Sequence, residues 1–372
     1  MVRHRPDLNV ISSFLIVVCI AWSCVASRRL VAVGDLHGDL NQTLSILRLT
    51  GLIDDRKHWI GGNTILVQVG DVLDVGPNDI DIVKLFMKLG RQASAAGGSV
   101  EQLLGNHEIR NLRGDFTAVN DDLLAAEGGA EGRRHLLSMS TPVGQYLRTR
   151  NAIFHHGRFL FMHGGFSSST VSLITSLDNI PVFNDAVRNA LTSGSPTSQM
   201  GKEGLNLNET DEDAVKNPIL VRSLLNVKCG ELHRVLETHF KSITTVVVGH
   251  VPHDADDFDH WNLCDGALVD IDFGMSTWKK GEPGAVAALQ IYEDNDTMVL
   301  VRNEHVVLPR WLPDFEEVRV GFENAPFPVK LISVAAFSLL CFLVGVSIAS
   351  RIQARRDARV EEEPTPQQYG TF

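Results

Sequence analysis

The sequence predicts an α/β fold whose strands carry metal-binding residue types at their carboxyl ends. Two observations predict it. Five short apolar runs, Leu30–Val33, Ile65–Val69, Val100–Leu104, Phe159–Met162 and Thr244–Val248, are each of buried-strand length, and each opens directly into a string of Asp, His or Asn. In open α/β sheets ligands gather outside the carboxyl ends of strands, so these tips can converge although they are far apart in the chain. The second observation is size: of 372 residues, roughly 300 lie between two apolar segments, enough to bury a large core in one α/β unit.

Taken in order, the first run leads into Gly34-Asp35-Leu36-His37 and the second into Gly70-Asp71. The third leads into Gly105-Asn106-His107-Glu108, the fourth into His163-Gly164-Gly165, and the fifth into Gly249-His250. Any one of these alone reads as a turn whose side chain satisfies backbone groups. Five in series, each at a strand end and each with a ligand-type side chain, read as one site on one sheet edge. Two Asp, one Asn and three His are suitable donors for a pair of borderline cations.

The motif order Gly-Asp-x-His, Gly-Asp-x-x-Asp, Gly-Asn-His-Glu, His-Gly-Gly, Gly-His resembles that of the calcineurin-like metallophosphoesterases, and within them the PPP-type phosphatases. The segments between motifs resemble in particular the Shewanella-like protein phosphatases: Leu47–Asp54 leading to Trp59-Ile60-Gly61-Gly62-Asn63-Thr64, Gly105–Asp115, Thr141–Arg148, and Cys264-Asp265-Gly266 before Ile271–Ser276. The similarity runs from about Leu30 to about Glu293. It implies an αββα sandwich over residues 28–312 with a dinuclear metal site at the strand C-terminal ends.

The resemblance also implies roles. Asp35 and His37 would hold one metal, Asn106, His163 and His250 the other, and Asp71 would bridge them; Mn, Fe and Zn all suit such a set. Two ions roughly 3.5 to 4 Å apart share a hydroxide and neutralise a phosphoryl group during in-line attack, with no covalent enzyme intermediate. His107 would protonate the leaving group, with Asp74 orienting its imidazole. Asn106 and Arg222 would contact the substrate phosphate.

At one position the chain departs from the pattern. Where the family reads Gly-Asp-x-x-Asp-Arg-Gly, this chain has Gly70-Asp71-Val72-Leu73-Asp74-Val75-Gly76. Losing a bidentate guanidinium clamp weakens transition-state stabilisation by about 2 to 4 kcal/mol unless another group replaces it. Arg110 and Arg113 are the nearby substitutes. Three functions follow: a phosphomonoesterase acting on phosphoproteins, with a Ser/Thr-type specificity expected; a nucleotide or small-phosphoester hydrolase on the same scaffold; or a slow, metal-loaded binder of phosphorylated ligands.

The termini predict a membrane protein. Val10–Ala26 is apolar, follows Arg3 and Arg5, and closes on Ala26 before Ser27, the layout of a signal peptide spanning residues 1–26. Beyond a linker, 313–330, the uncharged segment Leu331–Ser350 has the length of a single membrane span. Arg351, Arg355, Arg356 and Arg359 follow it, which keeps the tail 351–372 cytoplasmic and the catalytic domain lumenal or extracellular, a type I topology in the secretory and endosomal system. Tyr369-Gly370-Thr371-Phe372 fits an adaptor-binding pattern. Asn208 and Asn295 are the expected glycosylation acceptors. In the mature ectodomain Cys229 and Cys264 either pair or remain thiols. A net charge of -11 argues against nucleic acid as a partner.

Overall fold

The computed structural model describes residues 29–166, 170–193, 217–222, 228–252, 261–280, 285–292, 297–302 and 306–307. The expected signal peptide, linker, apolar segment and tail, with Asn208 and Asn295, lie outside them. Among the described residues no helix is long and apolar enough to cross a membrane.

The strands are β1 (Arg29–Val33), β2 (Ile65–Gln68), β3 (Ser99–Gln102), β4 (Ile153–His156), β5 (Phe159–Met162), β6 (Thr245–Val248), β7 (Asn262–Leu263), β8 (Leu268–Asp270), β9 (Ala287–Tyr292), β10 (Thr297–Arg302) and β11 (Val306–Val307). They form two mixed sheets, ordered β11-β10-β9-β1-β2-β3 and β4-β5-β6-β8-β7. This corrects the expectation of one sheet edge. The parallel trio β1, β2 and β3 belongs to the first sheet, whereas β5, β6 and β8 are parallel in the second. A four-residue apolar run does not specify which strand it pairs with, so the division was not readable from it.

Side-chain alternation with period two explains how the sheets stack. Leu30, Ala32, Ile65 and Val67 point between the sheets, against Phe159, Phe161, Val247 and Val269. Their neighbours Val31, Val33 and Leu66 point the other way, onto helices α1 (Leu40–Leu49) and α2 (Asp79–Ala95). On the outer face of the second sheet, Leu160, Met162, Val246 and Val248 meet Phe183, Val187, Leu232 and Leu236. The result is an α/β sandwich in αββα layers.

Between the sheets in sequence lie four short helices: α3 (Asn106–Leu112), α4 (Asp121–Ala126), α5 (Gly129–Leu136) and α6 (Pro142–Arg148). Helix α6 begins where Thr141 Oγ1 accepts from Gly144 N at 3.0 Å and Pro142 takes the first helical position, two signals that start a helix. Helices α7 (Asn179–Ser193) and α8 (Cys229–His239) cover the second sheet, and α9 (Thr277–Lys280) follows β8. Cys229 and Cys264 form a disulfide, joining the start of α8 to the turn before β8.

Candidate metal centre and catalytic site

The loops after β1 and β2 are built on each other. Leu36 N and His37 N both donate to Asp71 O at 3.0 Å, and Gly76 N donates to His37 O at 2.9 Å. To aim side chains inward at this density the backbone takes left-handed conformations at His37 (φ 42), Asp71 (φ 57), Asp74 (φ 70), Val75 (φ 68) and His250 (φ 75). Such residues are uncommon, and strain of this kind gathers at functional sites. Close approach also dictates residue type: a Cβ on Gly105 would lie 2.2 Å from Asp71 Oδ1, and one on Gly249 2.4 Å from Asp35 Oδ1.

The structure brings all six ligand-type residues together, buried. His163 shows what the cluster is built for. Its Nδ1 lies 3.1 Å from Val69 O, a carbonyl that can only accept, so Nδ1 carries the proton. In the neutral imidazole Nε2 then presents a lone pair to Asn106 Oδ1 at 2.9 Å and Asp71 Oδ2 at 3.3 Å, two further acceptors. His37 repeats the arrangement. Its Nδ1 is 3.4 Å from Leu73 O, while Nε2 faces Asp35 Oδ2 at 3.7 Å and Asp71 Oδ2 at 3.8 Å. Converging lone pairs repel unless a cation lies among them, and a backbone carbonyl on the far nitrogen is the usual way to fix a ligating histidine. The His163 and His250 rings are 4.6 Å apart. Two groups of potential ligands, one with His37, Asp71 and His107 and one with Asp71, His163 and His250, share Asp71. The donor set therefore suits two cations, with Asp71 common to both groups.

The electrostatics agree. Burial alone would push Asp71 up, but without metal, positive charge at His163, His107 and His37, standing where cations would, outweighs that and holds the carboxylate well below its usual range. His250 is driven down to about 2 by burial and by neighbouring His163, so it is a neutral imidazole at any working pH.

His107 lies at the edge of this cluster. Its backbone N–H donates to Asp71 Oδ1 at 3.0 Å, and its Nδ1 donates to Asp74 Oδ2 at 2.7 Å. Burial disfavours its charge, but Asp71 and Asp74 more than compensate and raise it to about 9. The expected acid and its orienting carboxylate are thus in contact.

Two residues in this region were not singled out from sequence. Glu108 is fully buried and accepts four backbone N–H groups: Oε2 takes Gly105 N (2.7 Å) and Asp71 N (2.8 Å), and Oε1 takes Val72 N (2.8 Å) and Leu73 N (3.0 Å). It pins the Asp71 loop to the start of α3. The available signal was its place three residues after Gly105, the spacing of a capping box. Arg133, from α5, is fully buried against Asp79, Glu127 and Asn111 behind Asp74; its sequence context carries no signal.

The arginine expectations fare unevenly. Arg222 is exposed and donates from Nη1 to His250 O at 3.1 Å, which puts it at the rim of the cluster. Arg110 is engaged with Asp115 Oδ2 (3.0 Å) and Thr117 Oγ1 (2.7 Å). Arg113 lines a separate pocket with Asn111, Arg134 and Arg148. Val75 is half-buried.

A family model described as calcineurin-like phosphoesterase matches residues 28–261. Shewanella-like protein phosphatase 2 of Arabidopsis thaliana is 50% identical over 91 residues, 24% of this chain and 23% of that protein. Shewanella-like protein phosphatase 1 of Plasmodium berghei is 28% identical over 270 residues, 68% of this chain and 69% of that protein. Among solved structures, a cold-active protein-tyrosine phosphatase of a psychrophilic Shewanella aligns with a TM-score of 0.60 at 26% identity, over 74% of this chain and 78% of its own.

Proposed function

From its membership of the calcineurin-like phosphoesterases, we propose that this chain is a two-metal phosphomonoesterase acting on phosphorylated proteins. The observation that carries the reading is the convergence of lone pairs at His163 Nε2, Asn106 Oδ1 and Asp71 Oδ2. Asp35, His37, Asp71, Asn106, His163 and His250 would hold the ions, Mn, Fe or Zn, which supply an activated water and neutralise charge on the phosphoryl oxygens. Asp71 links both halves of the set, and Glu108 fixes the loop that presents it. Asn106 and Arg222, the latter beside His250 at the rim of the cluster, would contact the substrate phosphate. His107, with Nδ1 committed to Asp74, offers its Nε2 proton to the departing alkoxide.

The names of the relatives support a protein substrate. The resemblance to PPP-type phosphatases supports phosphoserine and phosphothreonine; the Shewanella neighbour, named a protein-tyrosine phosphatase, supports phosphotyrosine as a second reading. Purified protein assayed with Mn on phosphoserine, phosphothreonine and phosphotyrosine peptides beside nucleotides separates them. Turnover of nucleotides alone would replace the protein substrate by a small phosphoester. Binding of phosphopeptides without turnover would favour the slow phospho-ligand receptor suggested by Val75.

Supported by the apolar segments Val10–Ala26 and Leu331–Ser350 and the arginines after the second, the same proposal places the catalytic domain on the lumenal side of the secretory system, with an adaptor engaging Tyr369–Phe372. The Cys229–Cys264 disulfide is consistent with an oxidising compartment. Protease added to intact vesicles should remove a tail epitope and spare the catalytic domain; digestion of that domain would reverse the topology.

A further inference from the structure

Behind Asp74 lies a buried ionic network that metal binding does not use. The Arg133 guanidinium, fully buried, forks onto Asp79, with Nη2 to Oδ2 at 2.5 Å and Nη1 to Oδ1 at 3.2 Å. Its Nη1 also reaches Glu127 Oε1 at 3.1 Å, and its Nε donates to Asn111 Oδ1 at 2.9 Å. That last bond decides which way the Asn111 amide lies. With its oxygen taken, the amide nitrogen must face Asp74 Oδ1 at 2.7 Å and the His107 carbonyl at 3.0 Å. Asp74 is then held at Oδ1, and its Oδ2 is directed at His107 Nδ1.

We propose that Arg133, acting through Asn111 and by its own ion pair with Asp74 Oδ1 at 3.5 Å, is the positioning residue of the general acid: it fixes the carboxylate of Asp74, and so the ring of His107, whose Nε2 faces the ligand cluster 3.8 Å from Asp71 Oδ2. This rests on the phosphomonoesterase reading. In that reaction the bond from phosphorus to the leaving oxygen breaks and its electron pair stays on oxygen. The Nε2 proton of His107 passes to that oxygen, and the proton released by the attacking water balances it. A misdirected ring would leave binding intact and fail at this transfer. Lysine at position 133 keeps the positive charge but cannot span Asp79 and Asn111 together, because only the planar guanidinium offers donors in a fixed fork.

The test uses the whole chain with Mn, comparing Asn111→Leu and Arg133→Lys with the unchanged protein on two substrates. A phosphoserine peptide has a poor leaving group and needs the acid; 2,4-dinitrophenyl phosphate does not. On the peptide, kcat should fall on the order of 100-fold in Asn111→Leu and by less in Arg133→Lys, with KM unchanged. On the aryl phosphate the change should stay within about threefold. Equal losses on both substrates, or none on either, would overturn the proposal. A second measurement does not depend on turnover: the low-field proton resonance of the His107 Nδ1–H bonded to Asp74 should be present in the metal-free protein and lost in Asn111→Leu. Its persistence there unchanged would also overturn the positioning role. If the unchanged protein hydrolyses neither substrate, it is the phosphatase reading that fails, and the resonance still decides the geometry.

Discussion

Replacing Glu108 by Gln tests how the fold holds its site open to metal. The carboxylate accepts four backbone N–H groups with no solvent to share them, two at each oxygen. A Gln of the same shape must turn its NH2 toward one pair, setting a donor against two donors. Hydrogen bonds to a charged group contribute about 1.5 to 3 kcal/mol each, so two lost bonds amount to about 3 to 6 kcal/mol. One effect works in the opposite direction. Burial and the nearby Asp71 carboxylate raise Glu108 above its ordinary pKa, so removing its charge relieves some repulsion. The expected loss is therefore near the lower figure, about 3 kcal/mol, a large part of a total stability of about 5 to 15 kcal/mol. Urea denaturation of metal-free Glu108→Gln reads it directly. The same variant should also bind Mn more weakly, because Asp71 N is one of the four donors. A loss below about 1 kcal/mol would refute the claim that this carboxylate braces the loop.

Asp71→Asn should abolish phosphatase activity and lower metal content below two per chain, because Asp71 is common to both ligand groups; elemental analysis showing two full equivalents would exclude bridging. Val75→Arg should raise kcat/KM on a phosphomonoester and tighten inhibition by inorganic phosphate, and no change in either would mean that the clamp is already supplied elsewhere. In chelated protein His107 carries a pKa of about 9 against an ordinary 6.5, so its protonated form stabilises the fold. That contribution, about 3 kcal/mol, is complete below pH 6.5 and is lost as pH rises to about 9. His107→Asn should flatten the urea midpoint across that window.

What the sequence discloses and what it withholds follow from how far each interaction reaches. Asp35, Asp71, Asn106, His163 and His250 sit within a few residues of the strands that aim them, so a local pattern identified them as one cluster. Asp74 was legible only through the family resemblance, which implied that it orients His107; the structure places the two in hydrogen-bond contact. Arg133 is the opposite case. It and Arg134 are adjacent arginines on one short helix, yet one is fully buried among carboxylates and the other pairs with Glu131 in solvent. Only the packing of α5 against Asp79, 54 positions earlier, distinguishes them, and no periodicity over an eight-residue helix encodes that contact. Backbone strain was withheld for a related reason. Glycine announces a left-handed turn, but Asp71, Val75 and His250 adopt one without being glycine. A β-branched side chain such as Val75 there costs about 1 to 2 kcal/mol. The bonds from Gly76 N to His37 O and from Val75 N to Ala118 O help hold it in place. The residue that departs from the family pattern is thus held by the same loop-to-loop contacts that build the site, and those contacts join segments the sequence presents separately.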